Sequence, residues 1–169
     1  MNILLLQWGL FSFMVGLVLS LPLAAVYYQK SSPLTKIFTN PQKLKSAHLD
    51  FFTQAFAIGF VYLLEFCTKM EFPHYVVLPL VFGTIMNPLI LLLESTRICR
   101  AKYFKSVYML LRATSPLSLY FAWSVIALNF LPVYLKIVLI TLLFVVLLLM
   151  AGNYWNYKKR LAHENARET

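Results

Sequence analysis

The chain has 169 residues, 60% hydrophobic and only 12% charged, about half the charged share of an ordinary soluble domain, which excludes a soluble globular fold. Fifteen Lys and Arg stand against six Asp and Glu, a net charge of +9. The charges collect between long apolar runs and do not spread over a polar face, which excludes a nucleic-acid binder and a disordered basic tail. What remains is an all-α integral membrane protein with basic cytoplasmic loops.

Residues 3–28 carry no charge, and at about 1.5 Å per residue they exceed the roughly 30 Å hydrocarbon layer. No basic segment precedes this run and it is too long for a signal-peptide core, so it reads as a first span and not a cleaved leader. Tyr27 and Tyr28, followed by Gln29 and Lys30, form an interfacial anchor. The loop to Ser46 contains Pro33, Pro41, Lys30, Lys36, Lys43 and Lys45 and no acid. A second span covers 47–68, with His48, Asp50, Gln54 and Glu65 inside it, and a short turn leads to a third over 73–93. Pro79 and Pro88 in that third span predict kinks at a packed position. A second basic stretch from Glu94 to Lys105 holds Arg97, Arg100, Lys102 and Lys105.

Residues 106–131 are apolar apart from Arg112 and the Ser115-Pro116 pair, and 133–155 are apolar apart from Lys136. The tail at 158–169 is basic again through Lys158, Lys159, Arg160 and Arg167. Short cytoplasmic loops collect Lys and Arg. Placing all three basic regions on one side requires a bundle of five transmembrane helices, with the N-terminus outside and the C-terminus cytoplasmic. The alternative is four spans plus an interfacial or re-entrant helix at 106–131, because the junction Asn129-Phe130-Leu131-Pro132 is tight for a hairpin. Residues 1–157 then form a single transmembrane domain followed by the basic tail. Cys67 and Cys99 show no metal or redox spacing and read as packed thiols.

Ionisable side chains within a span cost about 2.5 to 3.5 kcal/mol at its centre and mark candidate sites. Glu65, Glu94 and Arg112 lie near span ends, where they can reach water, and Lys136 reads as an interface anchor. At about 100° per residue, Asp50, Gln54 and Glu65 share a stripe roughly 60° wide, while His48 lies about 160° from Asp50. One of these two faces would point into the chain's own core. The other would require a partner subunit, a ligand or interfacial water. Gly83, Asn87 and Glu94 form a stripe on the third span, with Gly83 permitting close helix approach. Asn87 is the most central strongly polar side chain, either a fastener between helices or a ligand contact. There is no HExxH, GxSxG, phosphate loop or glycosidase-like carboxylate pair. His74 and His163 are weakly placed, whereas one imidazole such as His48 is enough to ligate a haem.

The run Asn40-Pro41-Gln42-Lys43-Leu44-Lys45-Ser46-Ala47-His48-Leu49-Asp50 resembles the segment that introduces the second span of bacterial hydroxylaminobenzene mutases, an Asn-Pro turn followed by Ser-Ala-His-Leu-acid. Phe82-Gly83-Thr84-Ile85-Met86-Asn87 is similar to their aromatic-Gly-Thr-x-x-Asn stretch. Styrene oxide isomerase, a related small membrane enzyme, has a comparable Ala-His pair and later Asn. The resemblance covers residues 40–93. It implies a homo-oligomeric isomerase in the bacterial inner membrane, usually of four spans, acting on a small hydrophobic, aromatic molecule. It further implies haem b between subunits, with His48 as axial ligand and the iron as Lewis acid. Gln54 and Asn87 would orient the substrate, and Asp50 would stabilise developing positive charge. Gln54 stands where the isomerase has Asn, Ala55 where it has Gly, and Leu91 where it has a substrate-bonding Tyr.

Two classes of function stay open on these residues. One is the haem-dependent isomerase or mutase. The other is a non-catalytic membrane subunit in which the polar side chains tie helices together. A transporter is disfavoured because no inverted halves are visible.

Overall fold

The structure, a computed structural model, describes residues 2–28, 33–96 and 102–165. Over these residues it consists of helices α1 (Ile3–Tyr28), α2 (Leu34–Ile37), α3 (Pro41–Thr68), α4 (His74–Ser95), α5 (Lys102–Phe130) and α6 (Val133–Asn165). Four of them, α1, α3, α4 and the Val133–Trp155 part of α6, are long and apolar enough to cross a membrane. Helix α5, with 29 residues, is long enough but is interrupted by Arg112, Thr114, Ser115, Ser118 and Ser124, and it is not one of the four. Lys30, Arg97, Cys99, Arg100 and Arg167 lie outside the described residues.

The chain divides into two compact units, Met1–Ile126 and Ala127–Thr169. In the first, α1 and α3 share a seam. Helix α1 buries Leu5, Gly9, Ser12, Gly16, Leu19 and Val26, and α3 buries Leu44, Ala47, Phe51, Ala55, Ile58, Val61 and Glu65. Both sets advance by three, four or, from Leu19 to Val26, seven residues, the spacing that keeps one helical face on a partner. Small residues on α1 allow the close approach on which van der Waals packing in a bilayer depends. A Cβ on Gly16 would lie 3.2 Å from the Phe52 ring, and Ser12 Oγ donates to the Phe51 carbonyl at 3.1 Å. At the basic end, Leu19, Val26, Leu44 and Phe51 form a cluster covered by Leu34 and Phe38.

Helix α3 starts six residues before the expected position 47. Its start signal is Asn40, whose side chain accepts the Lys43 N–H at 3.2 Å, with Pro41 in the first turn, where proline has no N–H to waste. Lys43 and Lys45 therefore ride on a helix and not on a loop. Likewise α4 ends at Ser95, α5 begins at Lys102, and α6 continues to Asn165, so much of each basic stretch is helical. Asn40 N–H donates to the Ser95 carbonyl at 3.2 Å, tying the ends of α3 and α4 together.

Two further expectations are corrected at the opposite end of α3. Glu65 does not reach water but is fully buried, because Asn2 and Phe72 close over its carboxylate. Cys67, on the last turn, is exposed and not packed. The helix stops at Lys69, which adopts a left-handed conformation with φ 53°, where a Cβ costs about 1 kcal/mol. Lys69→Gly is therefore expected to raise the thermal midpoint of the detergent-solubilised protein, followed by circular dichroism. An unchanged or lower midpoint would mean that this strain is not present.

In the second unit, Pro132 separates α5 from α6 and accepts the Leu135 and Lys136 N–H groups at 3.0 and 3.1 Å. None of the Val133–Trp155 window is buried, and its composition is that of a surface matched to lipid.

Candidate functional site

The stripes on α3 and α4 converge with α5. Lys43, Asp50 and Gln54 from α3, Asn87, Ile90, Leu91 and Glu94 from α4, and Arg112 and Pro116 from α5 line a cleft of about 410 Å³. Steps of seven and four on α3, and of three, four and seven on α4, each return a side chain to the same face. All three residues expected to contact substrate, Asp50, Gln54 and Asn87, are in this cleft.

Its two ends differ. At the basic end Glu94 joins three helices: Lys43 Nζ approaches its Oε2 at 2.6 Å, the Tyr108 hydroxyl donates to its Oε1, and Arg112 Nη1 donates to the Tyr108 oxygen at 3.4 Å. At the inner end Ser115 Oγ lies 2.8 Å from Asn87 Oδ1 and 3.3 Å from the Gly83 carbonyl, fastening α5 to α4. This contact needs Gly83, since a Cβ there would stand 2.8 Å from Leu119 Cβ and 3.0 Å from the Ser115 carbonyl oxygen. Between the ends, Gln54 Nε2 donates to Asp50 Oδ1 at 3.2 Å.

The Asn87 amide thus spends its oxygen on Ser115 and keeps its NH₂ for the cleft. Gln54 spends one N–H and keeps its oxygen. A one-ring molecule fits the volume, and it would meet a donor from Asn87, acceptors from Gln54 and Asp50, the Arg112 guanidinium, and apolar walls at Ile90, Leu91 and Pro116.

His48 is not in this cleft. Its ring faces α1, with Nδ1 2.8 Å from the Gly16 carbonyl oxygen and its edge against Phe52 at a centroid distance of 5.0 Å. The His48 face is the one that packs within the chain, and the Asp50–Gln54 face is the one that opens on a cleft. A carbonyl only accepts, so Nδ1 carries the proton, and a neutral ring presents its lone pair on Nε2. That is the orientation in which an imidazole ligates iron, so the donor chemistry at His48 fits a haem. Glu65 leaves the Asp50–Gln54 stripe for a different reason. It lies eleven residues beyond Gln54, roughly 16 Å along the helix, and it closes against Asn2 and Phe72.

Compared with known families, characterised proteins and solved structures, the chain matches none. The site must be read from its own residues. Lys43, Tyr108 and Ser115 are the members that the sequence did not single out. Ser115 carried the available signal, a hydroxyl beside a proline in an apolar stretch.

Proposed function

We propose that the protein is a membrane-embedded isomerase or mutase that takes a small hydrophobic, aromatic molecule from the bilayer into the cleft between α3, α4 and α5. The observation that carries this reading is the convergence of Asp50, Gln54 and Asn87 on one cleft, with the Asn87 oxygen and one Gln54 N–H engaged and their other amide groups left over. Residues 40–50 and 82–87, which resemble the mutase and isomerase motifs, supply Asp50 and Asn87 and support the same reading. In the proposed topology the chain crosses a bacterial inner membrane five times, α5 included, with the N-terminus outside and the basic regions in the cytoplasm.

In this proposal Asn87 donates to a substrate oxygen, Gln54 accepts from a substrate O–H or N–H, and Asp50 faces positive charge that develops on the ring-bearing carbon or nitrogen. Ile90, Leu91 and Pro116 exclude water from the ring. Leu91 offers no hydroxyl, and the Tyr108 phenol at the basic end is engaged with Glu94. Haem b would be held by His48 and would supply a Lewis acid for the substrate oxygen. His48 meets α1 of its own chain and lies outside the cleft, so a haem held there would act on this chain's substrate only if a second protomer of the proposed homo-oligomer brought its cleft to that face.

The detergent-purified protein from haem-replete cells is expected to show a Soret band that disappears in His48→Ala while helicity by circular dichroism is kept. Asp50→Asn and Asn87→Ala should retain the band and lower turnover of an aryl epoxide or aryl hydroxylamine by about 10²- to 10³-fold, the usual effect of removing one electrostatic stabiliser. A protein without a Soret band, whose spectrum His48→Ala leaves unchanged, ends the haem reading. One observation favours the second reading, a non-catalytic subunit: Ser115 engages Asn87 as a helix fastener does. On that reading Asn87→Ala lowers the thermal midpoint, and the protein turns over neither substrate.

A further inference from the structure

A second concavity lies on the other side of the α1–α3 pair. It measures about 400 Å³ and is lined by Ser20, Leu23, Ala24, Tyr27 and Tyr28 of α1 and by Lys45 of α3. The α1 residues follow i, i+3, i+4, i+7 and i+8, one face of the last two turns. Leu23 and Ala24 make an apolar floor, the two phenols sit at the helix end, and a single cation stands opposite.

Lys43 and Lys45 have different surroundings. Lys43 is paired with Glu94. Lys45 lies two residues on, about 200° around the helix, and among the described residues no acid lines its groove. Ser20 Oγ spends its proton on the Leu17 carbonyl at 2.6 Å. The groove therefore offers an ammonium and two phenol donors with no carboxylate to balance them. The partial negative charge at the end of α1 is offset by the partial positive charge at the start of α3, so the full charge of Lys45 sets the sign. Tyrosines and lysine at the end of an apolar helix mark headgroup depth, and a groove apolar below and cationic above matches one class of molecule.

We propose that this groove binds the phosphate of an anionic phospholipid, with Lys45, Tyr27 and Tyr28 on the phosphate and the glycerol and acyl carbons against Leu23 and Ala24. A zwitterionic headgroup is disfavoured because, among the described residues, no acid lines the groove for its cation. This groove shares no lining residue with the cleft.

The test is native mass spectrometry of the full-length protein released from a neutral detergent, with phosphatidylglycerol or phosphatidylcholine added at equal concentration. Phosphatidylglycerol should be retained in preference, and Lys45→Gln should lower its retention about fivefold, the usual effect of one lysine at an anionic surface. Lys45→Arg should preserve retention, and Tyr27→Phe should weaken it without removing the charge. Lys36→Gln, outside the groove, should have no effect. Equal retention of the two lipids, an unchanged Lys45→Gln, or an equal loss in Lys36→Gln overturns the proposal, the last by showing only the general field of a basic protein. Displacement of phosphatidylglycerol by inorganic phosphate at the same concentration would assign the groove to free phosphate and overturn the lipid.

Discussion

Glu65→Ala is expected to be the most destabilising single truncation in the first unit, costing about 3 to 5 kcal/mol, because it leaves several closed-in N–H donors without an acceptor at about 1 to 3 kcal/mol each. Helix α1 has no acid in its first turn, where a negative charge is favoured by the helix dipole. Glu65 supplies one from α3. Its Oε2 accepts the Asn2 backbone N–H at 2.8 Å, and its Oε1 accepts Asn2 Nδ2 at 2.5 Å and the Phe72 backbone N–H at 2.7 Å. One buried carboxylate thus ties the start of α1 and the α3–α4 turn to the end of α3. Alanine removes the acceptor of three N–H groups at once. Glu65→Gln keeps the shape and one oxygen but can turn a donor toward an N–H, so its cost should fall between alanine and wild type. Asn2→Ala, which removes the side-chain donor but keeps the backbone one, should cost only about 1 kcal/mol. Thermal melts in detergent give the ranking. A Glu65→Ala midpoint equal to wild type would show that the carboxylate is not closed in by these partners.

The sequence made some of this legible and hid the rest for definable reasons. Helices α1, α4 and the apolar part of α6 could be read because uninterrupted apolar runs end at charge or proline. The start of α3 was placed too late because Lys43 and Lys45 were counted as loop charge, although Asn40-Pro41 is itself a helix-start signal. The α1–α3 seam went unread. Gly9, Ser12 and Gly16 are small in an otherwise bulky helix, but nothing local says which partner their face meets. Helical angle puts Asp50 with Gln54 on one stripe of α3 and Asn87 on a stripe of α4, but that the two stripes line one cleft is a tertiary fact. The same angle misplaced Glu65, because direction around a helix says nothing about height along it. For His48 the direction was right and the partner was not, since a main-chain carbonyl such as that of Gly16 has no side-chain signature. Tyr108 and Ser115 belong to the site only because α5 turns that face to α4, and that orientation is a tertiary fact.

Two chemically identical substitutions are expected to act in opposite directions. Gly59→Ala meets nothing within 4 Å of the added Cβ, and alanine is favoured over glycine within a helix by about 0.5 to 1 kcal/mol, so it should be neutral or stabilising. Gly83→Ala places a methyl 2.8 Å from Leu119 Cβ and 3.0 Å from both the Leu119 nitrogen and the Ser115 carbonyl oxygen. Two of these atoms belong to the main chain and the third is fixed to it, so no rotamer change can relieve the overlap. Helices α4 and α5 must separate, and the cost should reach about 1 to 3 kcal/mol, as for other overpacked sites. Separation also lengthens the 2.8 Å Ser115–Asn87 hydrogen bond, which orients the amide in the cleft. Gly83→Ala should therefore lower the thermal midpoint and weaken ligand binding or turnover together, while Gly59→Ala leaves turnover intact. Equal midpoints for the two variants would mean that α4 and α5 do not approach at Gly83, and the cleft would then lose the wall formed by Arg112 and Pro116.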